Sequence, residues 1–270
     1  MRVKDVELQL EQGGIRNAKQ EALWLMSHAL GMNSGAIYAL DVLTKGEEMK
    51  VCEVITRRLS GEPLEYILGY ADFYGRDFLT GPGVLIPRHD TETLIDGVGK
   101  CFAHDDAFRF LDWGTGTGCI AATILLEFPK SSGFMLDVNP EALKYARDNL
   151  ERYGLNDRAV AGDELVAGNF DLIVSNPPYI PSGEIAGLMR EVRDFEPLSA
   201  LDGGEDGMMF YREIMELSTR VLKPEGYIIF EAGNVRQYEA LKNCDGDFEF
   251  EGSVDDCGGF HRCVILRRRA

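Results

Sequence analysis

The sequence predicts an α/β fold: a mostly parallel sheet flanked by helices, ending in an antiparallel hairpin and preceded by a small helical domain. Three observations carry that prediction. From about residue 108 onward, short apolar runs alternate with helical patterns, the rhythm of βαβ units joined by right-handed crossovers. The last two runs, 247–253 and 261–267, are separated only by the glycine-rich Asp255-Asp256-Cys257-Gly258-Gly259, which reads as a hairpin. Residues 1–65 instead space their apolar side chains as helices do.

Taken in order, the 1–65 segment reads as a domain of around four helices. Within 16–26, Ala18, Ala22, Leu25 and Met26 share one face, and Gly31 supplies a stop. Within 47–59, Val51, Val54, Ile55 and Leu59 share another, ending at Ser60-Gly61. Residues 66–88 read as a β-hairpin linker, with 66–70 and 73–79 alternating apolar and polar around Gly75. The turns Gly81-Pro82-Gly83 and Ile86-Pro87 close it. The third segment, 89–270, holds a strand at 108–112, a glycine loop, a helix at 120–128 and a strand at 133–137. A helix at 140–153 follows with Pro140 in its first position, a place where the missing N–H costs nothing. Strands at 158–161 and 170–175, a helix at about 206–222 and a strand at 227–232 complete the series. Arg267-Arg268-Arg269 reads as a solvated tail.

Composition narrows the function classes. The 270 residues carry 28 Lys+Arg against 45 Asp+Glu, a formal net charge of −17, with 45% hydrophobic residues. That hydrophobic share suits a folded globular chain rather than a disordered one. Residues 1–70 hold 8 basic and 10 acidic side chains, and residues 71–270 hold 20 and 35. The α/β part therefore carries −15, a poor surface for gripping phosphate backbones. No apolar run reaches the ~18 residues of a membrane span, and the opening MRVKDVELQL lacks a signal-peptide pattern. A cytoplasmic chain is expected. The six cysteines include no Cys-x-x-Cys pair, and no histidine stands at zinc-ligand spacing from them, so no metal is expected.

Two motifs point to an adenosine-containing cofactor. Asp112-Trp113-Gly114-Thr115-Gly116-Thr117-Gly118-Cys119 lies between a strand and a helix, where glycines let backbone approach a ligand and a helix start offers N–H groups. From Gly114 the spacing misses G-x-G-x-x-G, because Cys119 takes the third place, while Gly116 to Ala121 satisfies G-x-G-x-x-A. The Gly-Lys-Ser/Thr of a phosphate-binding P-loop is missing. Asp137 ends the second strand, about 20 residues past the loop, where a carboxylate can accept both ribose hydroxyls. A nicotinamide dinucleotide and S-adenosylmethionine both satisfy these two features.

Ser175-Asn176-Pro177-Pro178-Tyr179, at the end of the 170–175 strand, decides between them. The Asn176 carboxamide oxygen and the Pro177 carbonyl can accept both hydrogens of a planar –NH2 group, and Tyr179 offers an aromatic face beside it. Pro177 and Pro178 stiffen the loop, so the acceptors are preorganised. Hydride transfer has no use for this arrangement. Methylation of an amino or amide nitrogen does, because holding both N–H bonds aims a delocalised lone pair along the sulfonium S–CH3 axis.

These loops and Asp137 together resemble the class I S-adenosylmethionine-dependent methyltransferases that act on nitrogen. Other stretches narrow the likeness to the protein-(glutamine-N5) methyltransferases that modify peptide chain release factors. They are Arg58-Leu59-Ser60-Gly61-Glu62-Pro63-Leu64-Glu65-Tyr66-Ile67-Leu68-Gly69, Phe73-Tyr74-Gly75, and Gly83-Val84-Leu85-Ile86-Pro87-Arg88-His89-Asp90-Thr91-Glu92. Glu196-Pro197, the run from Ala200 to Gly207, and Gly259-Phe260-His261-Arg262 are similar as well. The resemblance covers the chain from about 57 on, and the N-terminal helices match in layout. The family usually has Pro at His89, Glu at Asp90 and Leu at Trp113. It often has an aromatic residue after the Gly-Asp of the third strand, where this chain has Glu164.

The resemblance implies a Rossmann-like, mostly parallel seven-stranded sheet and transfer of a methyl group from S-adenosyl-L-methionine to a glutamine side-chain amide. That glutamine lies in the Gly-Gly-Gln motif of release factors, and S-adenosyl-L-homocysteine is the product. Gly114, Thr115, Gly116, Thr117 and Gly118 would cradle the methionine end, Asp137 the ribose and Asp163 the adenine amino group. Asn176 would also border the cofactor. Asn176, Pro177 and Tyr179 are the expected catalytic residues, with Pro178 completing the substrate loop. The N-terminal domain would recognise the release factor, and the chain would act as a monomer without a membrane or a direct nucleic-acid substrate. A ribosomal-protein glutamine remains an alternative acceptor. An adenine N6 position suits the same loop, but base-flipping enzymes normally carry a basic groove. A non-catalytic module with a vestigial cofactor fold is the remaining alternative.

Overall fold

The computed structural model describes residues 1–40, 42–165 and 168–270. The chain divides into two compact units, residues 1–70 with 189–195 and residues 71–188 with 196–270.

The first unit is helical: α1 (Val3–Gln12), α2 (Ala18–Leu30), α3 (Ser34–Tyr38), α4 (Lys45–Leu59) and α5 (Leu64–Leu68). Side chains set the starts. Asn33 accepts the Ala36 N–H at α3, and Thr44 with Glu47 forms a reciprocal capping box at α4. Val6, Leu10, Ala22, Leu25, Met26, Val51 and Ile55 fill one core. Leu59, expected on the buried face, is 38% exposed, and Arg58 is buried in its place. The Arg58 guanidinium donates to Glu21 at 2.6 and 3.3 Å and to Glu191 at 2.9 Å, so a cation sits inside with carboxylates around it. The 66–70 stretch, expected as a strand, is helical through Leu68. Leu64 and Ile67 join the helical core at a three-residue spacing, which a short apolar run does not distinguish from a strand. Gly69, at φ +81°, ends α5 in the left-handed conformation that glycine tolerates.

The hairpin of β1 (Tyr70–Phe73) and β2 (Arg76–Leu79) follows, in the second unit from Ala71 on. A short 3-10 turn at His89–Glu92 leads into α6 (Thr93–Cys101), which the sequence reading left unassigned. Then come β3 (Arg109–Trp113), α7 (Cys119–Glu127), β4 (Ser132–Leu136), α8 (Pro140–Arg152), β5 (Ala159–Gly162) and β6 (Phe170–Ser175). The helix α9 (Arg190–Phe195) belongs to the first unit. The chain closes with α10 (Met209–Val221), β7 (Leu222–Glu231), α11 (Val235–Lys242), β8 (Phe248–Asp255) and β9 (His261–Arg268). Helix α10 starts later than expected because the Asp206 carboxylate accepts the Met208 N–H ahead of it. The terminal arginines are not a free tail. β9 runs through Arg268, whose guanidinium donates to the Leu222 carbonyl, while Arg267 pairs with Glu225.

The seven strands lie in the order β5-β4-β3-β6-β7-β9-β8. All neighbours are parallel as far as β7, and β9 pairs antiparallel with both β7 and β8. Successive strand residues serve opposite faces. Phe110, Leu172 and Val174 join a core with α7, and Leu111 and Ile173 join one with α10. This is the mostly parallel, hairpin-terminated sheet that the sequence leads one to expect. Strand order reverses between β3 and β6, so the loops leaving those strands open a crevice at the sheet's C-terminal edge.

Candidate active site

That crevice is a cavity of about 730 Å3, within the range of small-molecule sites. Loops after β3, β4, β5 and β6 all contribute to its wall, through Gly114 to Thr117, Asp137, Asp163 and Asn176 to Pro178. Residues of the 83–91 segment and of the 197–214 stretch complete the lining.

The glycine loop is held by its own amides. The Gly114 and Thr115 N–H groups both donate to the Leu136 carbonyl, at 2.8 and 2.9 Å, and Gly118 N–H donates to the Thr115 carbonyl at 2.8 Å. Gly116 N–H donates to Asp137 Oδ2 at 2.9 Å. These four amides are spent on the turn itself, ahead of the first residues of α7. What the glycines supply is room. Among the described residues, a Cβ at Gly114 would meet no atom within 4 Å, and one at Gly116 only Val84 at 3.7 Å. Gly118 is different: it does not line the cavity, and a Cβ there would strike Met135 Cε at 2.4 Å. Its role is close packing of the loop on the sheet.

Asp137 stands one residue past β4. Its Oδ1 accepts the Asn139 N–H at 2.9 Å, so each oxygen holds one backbone donor and keeps acceptor capacity for a diol. Burial raises its pKa, and the Asn139 and Gly116 N–H groups pull against that. Asp112, the first residue of the glycine-loop motif, is fully buried. Its Oδ2 accepts the Thr115 hydroxyl at 2.6 Å. Burial pushes its pKa up to about 7, against the pull of that hydroxyl and the Ala121 N–H.

Asn176 is half-buried and Pro177 buried, and both line the cavity with Pro178. Ser175 fixes where the loop begins, its hydroxyl donating to the Trp113 carbonyl at 2.7 Å. Tyr179 turns away. Its ring fills the space beside Gly233, where a Cβ would lie 2.3 Å from Cδ2, and its hydroxyl donates to Glu231 Oε1 at 3.0 Å. It therefore does not line the cavity. Burial, then the Glu231 charge, raises the Tyr179 hydroxyl well above its usual range. The Ala200-to-Gly207 run buttresses the loop. Ile180 N–H donates to Leu201 at 3.0 Å, Gly203 N–H donates to Ile180 at 2.8 Å, and a Cβ at Gly203 would lie 2.7 Å from Tyr179 Cα.

Several contributors escaped the sequence reading. Glu231 at the end of β7 is buried, and Thr91 donates to its Oε2 at 2.5 Å. Burial raises the Glu231 pKa, while Thr91, Tyr179 and Arg262 pull it down. Arg88 lines the cavity and forms an ion pair with the buried Glu196. Away from the cavity, Asp72, His89 and Glu92 bring one polar atom each within 4.8 Å of one another, and His89 Nδ1 pairs with Glu92 Oε1 at 3.0 Å.

The open side of Gly114, the carboxylates Asp137 and Asp163, and the apolar Trp113, Leu136 and Leu165 offer acceptors and apolar faces of the kind an adenosine-bearing ligand uses.

Comparisons with known proteins bear on the family and the fold. Residues 3–69 match the family described as the PrmC N-terminal domain, and residues 91–190 match the methyltransferase small domain. The chain is 41% identical over 229 residues to a release factor glutamine methyltransferase from Geobacter sulfurreducens, covering 83% of this chain and 80% of that protein. It is 39% identical over 269 residues to one from Rhodospirillum rubrum, covering 97% and 82%. Among solved structures, a methyltransferase from Pyrococcus furiosus matches with a TM-score of 0.51 at 20% identity, over 80% of this chain and 97% of that one. The hMettl16 catalytic domain in complex with a MAT2A 3′UTR hairpin matches at 0.51 and 17% identity, over 83% and 81%. At such identities the two structures speak for the fold alone.

Proposed function

Because this chain belongs to the release factor glutamine methyltransferase family, we propose that its cavity binds S-adenosyl-L-methionine beside the glutamine amide of a release factor Gly-Gly-Gln loop. The chain is a methyltransferase that methylates the release factor glutamine. The observation that carries the site assignment is that Asn176, Pro177 and Pro178 share one cavity with Gly114, Gly116, Asp137 and Asp163.

When bound, the cofactor supplies an electrophilic methyl group on a sulfonium. Asp137 would take the ribose diol with its remaining lone pairs, and Asp163 the adenine amino hydrogen. Leu165 follows Glu164 in the same wall and offers the adenine an apolar face where the family often has an aromatic one. Asn176 Oδ1 and the Pro177 carbonyl would accept the two amide hydrogens, turning the nitrogen lone pair toward the methyl group. Tyr179 acts from behind, through Glu231, by anchoring the loop rather than by stacking on the amide. Holding both reactants in line is the main source of acceleration, and alignment of this kind is worth up to ~7–11 kcal/mol. The amide nitrogen then releases a proton to water, with no side-chain base required. The helical unit would recognise the release factor, and the acidic α/β part suits a protein acceptor better than a nucleobase.

The test is incubation of the purified protein with methyl-labelled S-adenosylmethionine and a release factor, beside a release factor with Ala in place of the Gly-Gly-Gln glutamine. Label on the first and none on the second is the expected result. Equal label on both would refute the assignment of the acceptor.

A further inference from the structure

Asn176 is one end of a hydrogen-bond chain that leads out of the cavity. Its Nδ2 donates to Thr91 Oγ1 at 3.0 Å, and the Thr91 hydroxyl donates to Glu231 Oε2 at 2.5 Å. Glu231 is 1% exposed, and its other oxygen accepts the Tyr179 hydroxyl at 3.0 Å. One carboxylate thus holds the substrate loop at two points, through Thr91 at Asn176 and directly at Tyr179.

The chemistry of the groups fixes the direction of the chain. Thr91 Oγ1 donates its single proton to Glu231 Oε2, and with the carboxylate ionised both its oxygens can only accept. Only lone pairs of Thr91 Oγ1 remain, and the group facing them has to be a donor. Of the two ends of a carboxamide, the –NH2 alone qualifies. A flipped Asn176 would set Oδ1 against those lone pairs and present an –NH2 to an acceptor that is itself an –NH2. The groups around the carboxylate are mixed in sign. Burial and Asp90 oppose the ionised form, and the Thr91 and Tyr179 hydroxyls with Arg262 favour it, while the Tyr211 hydroxyl is engaged elsewhere, on the Glu231 backbone carbonyl at 2.7 Å. Both carboxylate oxygens receiving hydroxyl donors is the arrangement that suits the ionised form.

We infer that Thr91, itself set by Glu231, is a positioning residue that locks the Asn176 carboxamide with its oxygen toward the acceptor nitrogen. The inference rests on the reading of this cavity as an amide-methylation site, and it assigns the specificity of that site to a hydrogen-bond polarity set in the core. Thr91 is 3% exposed, so the competing explanation is that it only fills space. Valine, of nearly the same shape and without a hydroxyl, separates the two.

Thr91→Val and Thr91→Ser are compared with wild type for kcat and KM toward release factor, cofactor affinity by calorimetry, and melting temperature. Thr91→Val is expected to lower kcat about ten- to hundredfold, the loss of a hydrogen bond tied to a charged group, with cofactor affinity unchanged. Thr91→Ser, which restores the hydroxyl, is expected within about threefold of wild type. A second readout needs no substrate. The Asn176 side-chain NH2 signals, assigned by their loss in Asn176→Asp, should be protected from hydrogen exchange in wild type and Thr91→Ser and unprotected in Thr91→Val. Equal protection in Val and wild type, or a Ser variant as slow as Val, overturns the inference. A wild-type protein that fails to methylate release factor would count against the proposed function, while the exchange experiment would still decide the lock.

Discussion

At the proposed cofactor end of the cavity, Asp112 and Thr115 meet across three residues and Asp137 and Gly116 across 21. At the acceptor end, Asn176 meets Thr91 across 85 residues, Thr91 meets Glu231 across 140 and Tyr179 meets Glu231 across 52. The first end is a turn that stabilises itself with backbone amides and nearby carboxylates. The second is assembled only when β6, β7 and the segment before α6 come together. The difference teaches that a binding loop can be encoded in one stretch of chain, whereas the polarity of an acceptor site can depend on the packed core behind it. It also implies that the two ends are separable in function.

Breaking the acceptor end has the largest expected effect. Asn176→Ala should lower kcat by on the order of 10²–10³, the usual loss on deleting one preorganised hydrogen-bonding group, and far more than it weakens cofactor affinity in a calorimetric titration. Breaking the cofactor end should act on affinity instead. Asp137→Ala is expected to weaken S-adenosylmethionine binding by about 1.5–3 kcal/mol, roughly ten- to hundredfold, through loss of charged hydrogen bonds. Undiminished binding by the variant would remove Asp137 from the ribose site.

The smallest effect sharpens the comparison through stability. Burial raises the Asp112 carboxyl to about 7 from a usual 3.8, so the fold favours its protonated form. A raised value of this kind stabilises at low pH, and the contribution is lost as pH climbs through about 7. Asn at this position keeps an acceptor for Thr115 and carries no charge. The stability of Asp112→Asn relative to wild type should therefore improve by about 2 kcal/mol between pH 5 and pH 8, read from denaturant midpoints. An offset that stays constant with pH would show that the buried charge is already compensated.

The comparison also explains what the sequence made legible. The glycine loop, Asp137 and the Asn-Pro-Pro-Tyr loop could be seen because each is a local pattern at the end of a strand, and strand ends fall on one edge of a parallel sheet. The sheet with its final hairpin was visible for the same reason, as a change of rhythm along the chain. Glu231 and Thr91 could not be seen. A glutamate ending an apolar strand carries no local sign that it will be buried against a threonine far away in sequence. Tyr179 was seen but given the wrong surroundings, since the space beside Gly233 that draws its ring away exists only in the folded chain. Helix α5 was misread because three apolar residues in a row have no period, and its neighbours in the helical core decide the matter.

The separability of the two ends is tested most directly by single-turnover methyl transfer to release factor, followed across a wide range of S-adenosylmethionine in Asp137→Ala and Asn176→Ala side by side. The expected result is that Asp137→Ala regains the wild-type rate at saturating cofactor while Asn176→Ala stays slow at every concentration. Recovery of both variants, or of neither, would contradict the division of the cavity into a cofactor end and an acceptor end.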